Sequence, residues 1–308
     1  MQKFDLLVYN PHAGQGKFVL KLRQVIDILS ANENELIVHP TTAPLDAWHV
    51  VEKLAKGDCL SSVTCAGGDG MLNEVINGVI NSGKDIPISY IPTGTTNDFG
   101  YTLKISKDII KATKTAVLGV PFISDAGKFN NRYFTYTAAF GLFSDVSYGT
   151  SQKLKNAFGH AAYILQGISK LTQIKTIHCD GVITDAEGKE ETFGGEFLYG
   201  MILNSDSVGG FRKFMGNNVK IDDGVFEMLL IRRPKNLVEL DLIIADLTAK
   251  KFTNSNIFCR KIKKVLFESK EEIPWALDGE FAGAFKSSRI SVVPGAVTYV
   301  VPEKKINS

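Results

Sequence analysis

Three short loops in the first hundred residues combine glycines with small polar side chains. They read Asn10-Pro11-His12-Ala13-Gly14, Gly67-Gly68-Asp69-Gly70 and Gly94-Thr95-Thr96-Asn97. Glycine lets a backbone approach a ligand closely, and a helix that starts after such a loop offers unpaired N–H groups to an anion. These residue types predict a site for phosphate groups, although each loop taken alone also fits a tight capping turn.

The glycine pattern excludes two common nucleotide-binding motifs. No G-x-x-x-x-G-K-[ST] segment occurs, which excludes a Walker-type phosphate loop. Asn73 stands where the third glycine of G-x-G-x-x-G would lie, which excludes the ordinary dinucleotide-binding fingerprint. The predicted phosphate site must therefore be of another type.

The first half of the chain alternates apolar runs with helical spacing, which is typical of a parallel sheet with crossover helices. The predicted buried strands include Phe4–Tyr9, Ser61–Ala66 and Ile86–Ile91, and the predicted helices include 72–80 and 107–118. The carboxyl ends of parallel strands share one edge of a sheet, where open α/β folds bind ligands. We therefore expect the three loops to meet at that edge.

The second half of the chain changes to a β-rich pattern. Segments Phe122–Phe129 and Arg132–Phe140 predict a hairpin, and further short strands predict a mostly antiparallel domain. One helix is predicted over about 152–173. The closing strand Val297–Val301 fits either half, and the sequence leaves its place open.

Composition narrows the class of protein and its partners. With 308 residues, 44% of them hydrophobic, the chain is an ordinary folded protein of a size that favours two domains. The 35 Lys and Arg against 33 Asp and Glu leave a net charge of +2, which argues against nucleic acid as a partner. No apolar stretch reaches the roughly 18 residues of a membrane-spanning helix. Four cysteines without a metal-binding spacing predict a reduced, cytoplasmic protein.

Two carboxylates late in the chain could serve as acid–base groups. Asp278 and Glu280 stand on either side of Gly279. Phosphoryl transfer to an alcohol needs a base for the hydroxyl proton, and carboxylates can fill that role. The alternative is a solvated β-turn, since Asp-Gly is a common turn pair.

In four ordered motifs the chain resembles the diacylglycerol kinase catalytic domain. The motifs are N-P-x-x-G at 10–14, G-G-D-G with N-E at 67–74, P-x-G-T-x-N-D-F at 92–99 and D-G-E at 278–280. Bacterial lipid kinases share this domain, as do sphingosine and ceramide kinases more distantly. One departure is Met71, where the family commonly has threonine, so a hydroxyl is missing from this position.

The resemblance implies a two-domain, ATP- and Mg²⁺-dependent lipid kinase with a lipid kinase/NAD kinase-like architecture. Residues 1–123, to which 295–308 could add, would form a doubly wound, mostly parallel α/β nucleotide-binding domain, and 124–294 a mostly antiparallel β-rich lipid domain. The residues implied to contact ATP or its magnesium are Asn10, Pro11, His12, Ala13, Gly14, Thr42, Gly67, Gly68, Asp69, Gly70, Met71, Leu72, Asn73, Glu74, Gly94, Thr95, Thr96 and Asn97. For Thr42 a helix-capping hydroxyl is an equal alternative.

Four carboxylates receive catalytic roles from the same resemblance. Glu280 is implied as the proton acceptor, with Asp278 beside it. Asp69 and Asp125 are implied to reach magnesium through water.

A second, structural Mg²⁺ site is also implied by the resemblance. It would use oxygen atoms at Lys220, Asp223 and Val225, which suits the preference of magnesium for oxygen ligands. The alternative for this segment is a hairpin turn that ends at Gly224.

The implied acceptor is a lipid hydroxyl, with diacylglycerol the first choice and phosphatidic acid the product. A lipid acceptor implies a cytoplasmic protein that binds a membrane surface peripherally. Basic clusters at 232–235, 250–251 and 260–264 fit such binding, or else solvated strand edges. The apolar segment 158–171 fits core packing better than an acyl-chain slot. A homodimer is left open.

Three rival functions stay open beside this one. Another lipid, such as a sphingoid base or phosphatidylglycerol, could be the acceptor. NAD kinases also carry G-G-D-G followed by N-E, but the D-G-E and G-T-T-N-D segments favour a lipid kinase. A non-catalytic lipid- or nucleotide-binding regulator has only Met71 in its favour, and the intact Asp69, Asp278 and Glu280 argue against it.

Overall fold

The computed structural model describes residues 2–31, 34–141, 175–205, 207–208, 211–212, 219–249, 252 and 254–303. The chain divides into two compact units, one of residues 1–125 with 295–308 and the other of residues 126–294. The helix predicted over 152–173 and the segment 158–171 lie outside the described residues. No helix in the described part of the chain is long and apolar enough to span a bilayer.

The first unit is built on parallel strands that alternate with helices. Its elements are β1 (Phe4–Tyr9), a 3-10 turn (Ala13–Gly16), α1 (Lys17–Leu29), β2 (Glu35–Pro40), α2 (Asp46–Ala55), β3 (Leu60–Gly67), α3 (Asp69–Ser82), β4 (Ile88–Pro92), α4 (Asp98–Thr102) and α5 (Ile109–Leu118). The strands pair in parallel in the order β4-β3-β1-β2. This pairing confirms the parallel sheet expected from the alternating pattern.

Helices bury the apolar strands of the first unit. Strands β1, β3 and β4 consist mostly of buried residues, as parallel strands covered on both faces require. Helix α1 packs against α5, and α2 packs against α3. The buried face of α1 carries Phe18, Val25 and Leu29, which recur at helical spacing.

The second unit is β-rich and mostly antiparallel, as expected. Its elements are β5 (Val120–Phe129, which begins in the first unit), β6 (Arg132–Phe134), β7 (Thr137–Gly141), β8 (Ile177–Asp185), β9 (Glu190–Leu203), β10 (Ser207–Val208), β11 (Phe211–Arg212), β12 (Phe226–Arg232), α6 (Leu237–Ala249), β13 (Ile257–Leu277) and β14 (Glu280–Val301). Strands β9 and β13 each pair with β7, β8 and β12, so the sheet closes on itself. Aromatic side chains fill its core, with Phe140 and Trp275 in edge contact at 4.8 Å between ring centroids.

The second unit differs in two details from what the sequence led us to expect. Arg132–Phe140 was expected as one strand, but it is interrupted between β6 and β7 because Asp278 accepts the N–H groups of Thr135 and Tyr136. Helix α6 was not predicted, because most of its residues are apolar and periodicity alone cannot distinguish such a segment from a buried strand.

The closing strand is part of one long element, β14. Its last residues Tyr299 and Val300 pair in parallel with β4, which places the end of the chain in the first unit. At Gly295 the chain adopts a φ of +58° but stays in the strand. The closing strand Val297–Val301, which from the sequence could have joined either half, therefore belongs to the first unit.

Candidate functional site

In the first unit the three glycine-containing loops meet backbone to backbone. Thr93 N, at the end of β4, donates to Gly67 O, at the end of β3, over 2.8 Å. A Cβ atom added to Gly94 would lie only 2.7 Å from Gly68 Cα, so the second and third loops touch through their main chains. The expectation that these loops converge is confirmed.

The first loop joins the other two through Gly14. Asn10 N donates to Ala66 O at 3.0 Å, and the Asn10 side-chain oxygen accepts His12 N at 2.9 Å. Gly14 has a φ of +60°, and a Cβ there would lie 2.5 Å from Thr93 O. The loop therefore requires glycine at position 14, both for its conformation and for its packing.

We expect Gly14→Ala to destabilise the protein more than Gly16→Ala, although both glycines have positive φ, +60° and +73°. The left-handed conformation costs any other residue about 1 kcal/mol. Only Gly14 adds a clash with a backbone oxygen, because no atom lies within 4 Å of a Cβ on Gly16. In thermal unfolding, Gly14→Ala should lower the free energy of unfolding by about 1–3 kcal/mol more than Gly16→Ala does. Equal losses would contradict the close packing of the first and third loops.

Helix α3 begins directly after the second loop. Gly68 is its N-cap residue and, as a glycine, provides no side-chain capping hydrogen bond. The N–H groups of a first helical turn have no acceptor within the helix, and the helix dipole adds positive potential there. The start of this 14-residue helix is therefore a favourable position for an anion.

Two residues predicted to contact nucleotide point their side chains into the core instead. Leu72 is fully buried, and Met71 is 9% exposed. A Cβ on Gly67 would lie 2.5 Å from the Met71 sulfur, so the methionine packs beneath the second loop. A nucleotide contact at either position would have to use backbone atoms.

The Asp69 carboxylate connects the second loop to the third. Its Oδ2 accepts Asp98 N at 3.1 Å and the Thr96 hydroxyl at 3.5 Å, and its Oδ1 accepts Phe99 N at 3.4 Å. Asp98 and Phe99 open α4, so Asp69 caps that helix from the neighbouring helix α3. A half-buried carboxylate is thereby fixed beside the uncapped start of α3.

Asn97 and Thr95 occupy the third loop in different ways. Asn97 has a φ of +53°, and its amide closes the loop by bonding to both Gly94 N (2.9 Å) and Gly94 O (2.8 Å). The Tyr90 hydroxyl donates to the Asn97 side-chain oxygen at 3.3 Å, and burial raises the pKa of Tyr90 well above its usual value. Thr95 is exposed, so its hydroxyl is open to a ligand.

Thr42, which follows β2, and Glu74, which lies on α3, both form hydrogen bonds near the start of α2. Asp46 Oδ2 accepts both Thr42 N (2.8 Å) and the Thr42 hydroxyl (3.1 Å), and the Thr42 N–H holds the pKa of Asp46 below its usual value. Glu74 accepts Leu45 N at 2.9 Å. These bonds favour the structural alternative for Thr42 over a nucleotide contact.

Asp125 is buried in the first unit. It is 4% exposed, and its Oδ1 accepts Gly295 N at 2.9 Å. This bond ties β5 to the bend in β14. Its link to magnesium stays a prediction.

In the second unit, Asp278 and Gly279 form a two-residue hairpin turn between β13 and β14. Their φ angles are +49° and +84°, and Leu277 pairs with Glu280 across the turn. This geometry is typical of the type I′ turn that Asp-Gly favours. The backbone of the D-G-E motif therefore forms the β-turn that the sequence offered as the alternative to an acid–base site.

The Asp278 side chain is nevertheless not solvated. It is 4% exposed, and its Oδ2 accepts Thr135 N at 2.7 Å, while its Oδ1 accepts Tyr136 N at 2.9 Å and Thr137 N at 3.0 Å. Three backbone donors stabilise the ionised carboxylate. Asp278 thus anchors the hairpin to the segment between β6 and β7.

Glu280 differs from Asp278 in every one of these respects. It is exposed, and among the described residues its carboxylate has neither a hydrogen bond nor an ion pair. A carboxylate without a partner can accept a proton from an incoming hydroxyl.

The segment predicted to hold a structural metal contains a turn and a lysine contact. Val225 N donates to Asp223 Oδ1 at 3.3 Å, and Lys261 Nζ lies 3.5 Å from both Asp223 Oδ2 and Glu227 Oε1. Burial raises the pKa of Glu227 to about 7. Within each unit, the described residues contain no group of three or more His, Cys, Asp or Glu side chains placed to hold a metal. A site built on the Lys220 and Val225 carbonyls stays a prediction.

Comparisons with known proteins agree with this fold. Residues 5–128 match the family described as diacylglycerol kinase catalytic domain. The chain is 32% identical to the diacylglycerol kinase of Staphylococcus carnosus (strain TM300), over 99% of this chain and 97% of that one. It is 30% identical to the diacylglycerol kinase of Bacillus subtilis (strain 168), over 97% and 96% of the two chains.

Solved structures share the whole architecture. One from Bacillus anthracis str. Sterne has a TM-score of 0.82 at 25% identity, covering 98% of this chain and 96% of that chain. A second, a diacylglycerol kinase from the same strain, has a TM-score of 0.74 at 23% identity, covering 98% and 97%. This second likeness shows the fold alone.

The matches and the fold define a phosphotransferase that uses an alcohol group as acceptor. The chain belongs to the diacylglycerol kinase family. It is a lipid kinase by that membership, and a kinase implies ATP as the phosphate donor.

Proposed function

We propose that the protein transfers the γ-phosphate of Mg·ATP to diacylglycerol and yields phosphatidic acid. The observation that carries the proposal is the packing of three loops around the uncapped start of α3. Backbone N–H groups and the helix dipole at that position favour phosphate oxygens. The names of the Staphylococcus and Bacillus relatives support diacylglycerol as the acceptor.

The residues of the first unit fit a nucleotide and its cation. At the start of α3, the nearest described atom to a Cβ added on Gly68 would be Gly94 Cα at 3.5 Å, and Thr95 is an exposed residue that carries a hydroxyl. Asp69 offers a fixed, half-buried carboxylate, which suits Mg²⁺, and Asp125 is the second proposed carboxylate. When bound, Mg·ATP supplies the phosphoryl group and spreads its developing charge.

We assign the acid–base role in the second unit to Glu280. Its exposed carboxylate is open to the acceptor hydroxyl and would take that proton as the oxygen attacks. Asp278, whose oxygens are occupied by three backbone N–H groups, is proposed to position the turn that carries Glu280. Of the two carboxylates of the D-G-E motif, Glu280 is thus the proposed base and Asp278 the proposed positioning residue.

We also propose a doubly wound arrangement for the nucleotide-binding unit. Helix α1 packs with α5 and α2 packs with α3, which supports two helical layers on opposite faces of the parallel sheet. The β-rich unit is the proposed lipid-binding part, and a lipid acceptor requires peripheral contact with a membrane surface on the cytoplasmic side. A homodimer is compatible with these assignments.

Transfer of labelled γ-phosphate from Mg·ATP to lipids in mixed micelles tests the proposed function. Diacylglycerol, a sphingoid base, phosphatidylglycerol and NAD would be offered separately, with a reaction lacking Mg²⁺ as a control. Label in phosphatidic acid is the expected result. Label in another lipid would show that this lipid, and not diacylglycerol, is the acceptor. Label in NADP would indicate an NAD kinase. A protein that binds ATP but labels none of these compounds would be a non-catalytic regulator.

Gly68→Ala tests the phosphate site without disturbing the fold. Gly68 has a φ of −90°, and a Cβ there would lie 3.5 Å from Gly94 Cα, an ordinary contact. The added methyl group would narrow the space between the second and third loops, so we expect ATP affinity to fall roughly tenfold or more at an unchanged melting temperature. Calorimetric titration with Mg·ATP measures this effect.

The matched control is Gly57→Ala, at the end of α2, where a Cβ would lie 3.3 Å from Leu54 O. This variant should bind ATP as the wild type does. Wild-type affinity in Gly68→Ala as well would rule out the second loop as the phosphate site.

A further inference from the structure

The third loop contains a buried hydroxyl group that has no partner in the described structure. Thr93 is 8% exposed, and its Oγ1 makes no hydrogen bond to any described residue. A polar group buried in this way costs stability, so native proteins keep few of them. Such a group is often explained by a ligand or water that it binds.

Thr93 stands where the three loops meet. Its N–H donates to Gly67 O at 2.8 Å, which links it to the second loop. Its carbonyl oxygen lies against Gly14, where an added Cβ would be 2.5 Å from Thr93 O and 3.9 Å from Thr93 Cβ. The residue that follows it, Gly94, touches Gly68, the N-cap of α3.

The first turn of α3 supplies no hydroxyl of its own. Its residues are Asp69, Gly70 and Met71; the aspartate bonds to the third loop, and the methionine packs beneath Gly67. An anion at this helix end would therefore meet backbone N–H groups but no side-chain donor from α3. Thr93 has an unpartnered buried hydroxyl, and its neighbour Gly94 touches Gly68 at this helix end.

We propose that the Thr93 hydroxyl donates a hydrogen bond to a phosphate oxygen of the nucleotide. This inference rests on the proposed function and adds a binding residue that the sequence motifs did not indicate. Binding converts an unsatisfied buried donor into a charge-assisted hydrogen bond, which is stronger than one between neutral groups. The ligand-free protein bears the cost of the unpaired hydroxyl, and the nucleotide removes it.

The test is Thr93→Val, which keeps the side-chain shape and removes only the hydroxyl. We expect the affinity for Mg·ATP to fall about 10- to 100-fold, while the melting temperature without ligand stays equal or rises. Thr93→Ser, which keeps the hydroxyl, should bind within about threefold of wild type. In turnover, Thr93→Val should raise KM for ATP with a much smaller change in kcat.

A matched control is Thr113→Val on α5, which removes a fully buried hydroxyl that donates to Ile109 O at 2.7 Å. It should leave ATP affinity unchanged. Wild-type ATP affinity in Thr93→Val overturns the inference about Thr93 and leaves the proposed function standing. A lower ligand-free melting temperature together with weaker binding would also overturn it, because that pattern indicates a structural role.

The two proposals fail in distinguishable ways. Weaker binding of Mg·ATP by Thr93→Val supports the inference even if the wild type phosphorylates none of the lipids offered. A wild type that does not bind ATP overturns both.

Discussion

Glu280→Gln lowers kcat by about two to four orders of magnitude and leaves ATP affinity close to that of the wild type. Glutamine keeps the shape of the side chain but cannot accept the proton of the acceptor hydroxyl. Because Glu280 is exposed and has no partner among the described residues, its replacement should not disturb the fold. Initial rates with diacylglycerol, calorimetric binding of Mg·ATP and a melting curve measure the three quantities separately.

A carboxylate on the same hairpin provides the control. Glu272 is an exposed residue of β13, and Glu272→Gln removes the same charge from the same unit. It should keep wild-type turnover within about twofold. Undiminished turnover in Glu280→Gln would remove Glu280 as the base, and an equal loss in both variants would point to a general effect of charge on lipid binding.

Asp278→Asn should instead destabilise the second unit by about 2–4 kcal/mol. Asparagine tolerates the φ of +49° as aspartate does, so backbone strain is not the cause. An amide has one acceptor oxygen in place of two, and it cannot satisfy the N–H groups of Thr135, Tyr136 and Thr137 as a carboxylate does. Thermal and urea unfolding measure the loss, which corresponds to a fall in melting temperature of roughly 5–15 °C.

Asp185→Asn is the matched comparison for Asp278→Asn. Asp185 Oδ1 also accepts two backbone N–H groups at a hairpin turn, those of Glu187 (3.0 Å) and Lys189 (2.8 Å), but that turn is open to solvent. Water can replace the lost acceptor there, so the expected cost is below about 1 kcal/mol. Equal costs in the two variants would mean that burial of the Asp278 carboxylate contributes nothing.

The two variants together separate the roles of the D-G-E motif. Glu280→Gln should lower turnover at constant stability, whereas Asp278→Asn should lower stability and, through the displaced turn, turnover as well. Under the proposed function, Asp278 acts on the chemistry only by holding Glu280 in place. If Asp278→Asn lost turnover at an unchanged melting temperature, Asp278 would have a direct catalytic role.

The parallel half of the fold could be predicted from local sequence. Strand Phe4–Tyr9 was predicted with its observed limits, and helix 72–80 was found as the longer α3, Asp69–Ser82. These elements are fixed by apolar spacing and by glycines at their ends, which act over a few residues. The convergence of the loops follows from the same parallel topology.

The antiparallel half was harder because its strand limits depend on distant residues. The interruption between β6 and β7 is imposed by Asp278, which lies 143 residues from Thr135 in sequence. Gly295 has a positive φ and lies within β14, and its N–H donates to Asp125, 170 residues earlier in sequence. No pattern within a single segment carries that information.

In the candidate site, too, contacts between residues distant in sequence could not be predicted. The glycines and carboxylates of the motifs were visible in the sequence, but their partners were not. Thr93 occupies a position that carries no motif residue, and only its burial without a hydrogen-bond partner distinguishes it. The sequence predicted Asn97 as a nucleotide contact but did not indicate that its amide bonds to Gly94 N and O.

The return of β14 to the first unit has a consequence for how the protein folds during synthesis. Tyr299 is 1% exposed and packs against Phe99 with ring centroids 5.3 Å apart, so the core of the first unit includes residues that follow the whole second unit in sequence. Until the last part of β14 has been synthesised, β4 can pair with β3 but lacks β14 as its second neighbour. The second unit, which is continuous in sequence, can close earlier. The first unit of the kinase is therefore completed only after the second unit has been translated.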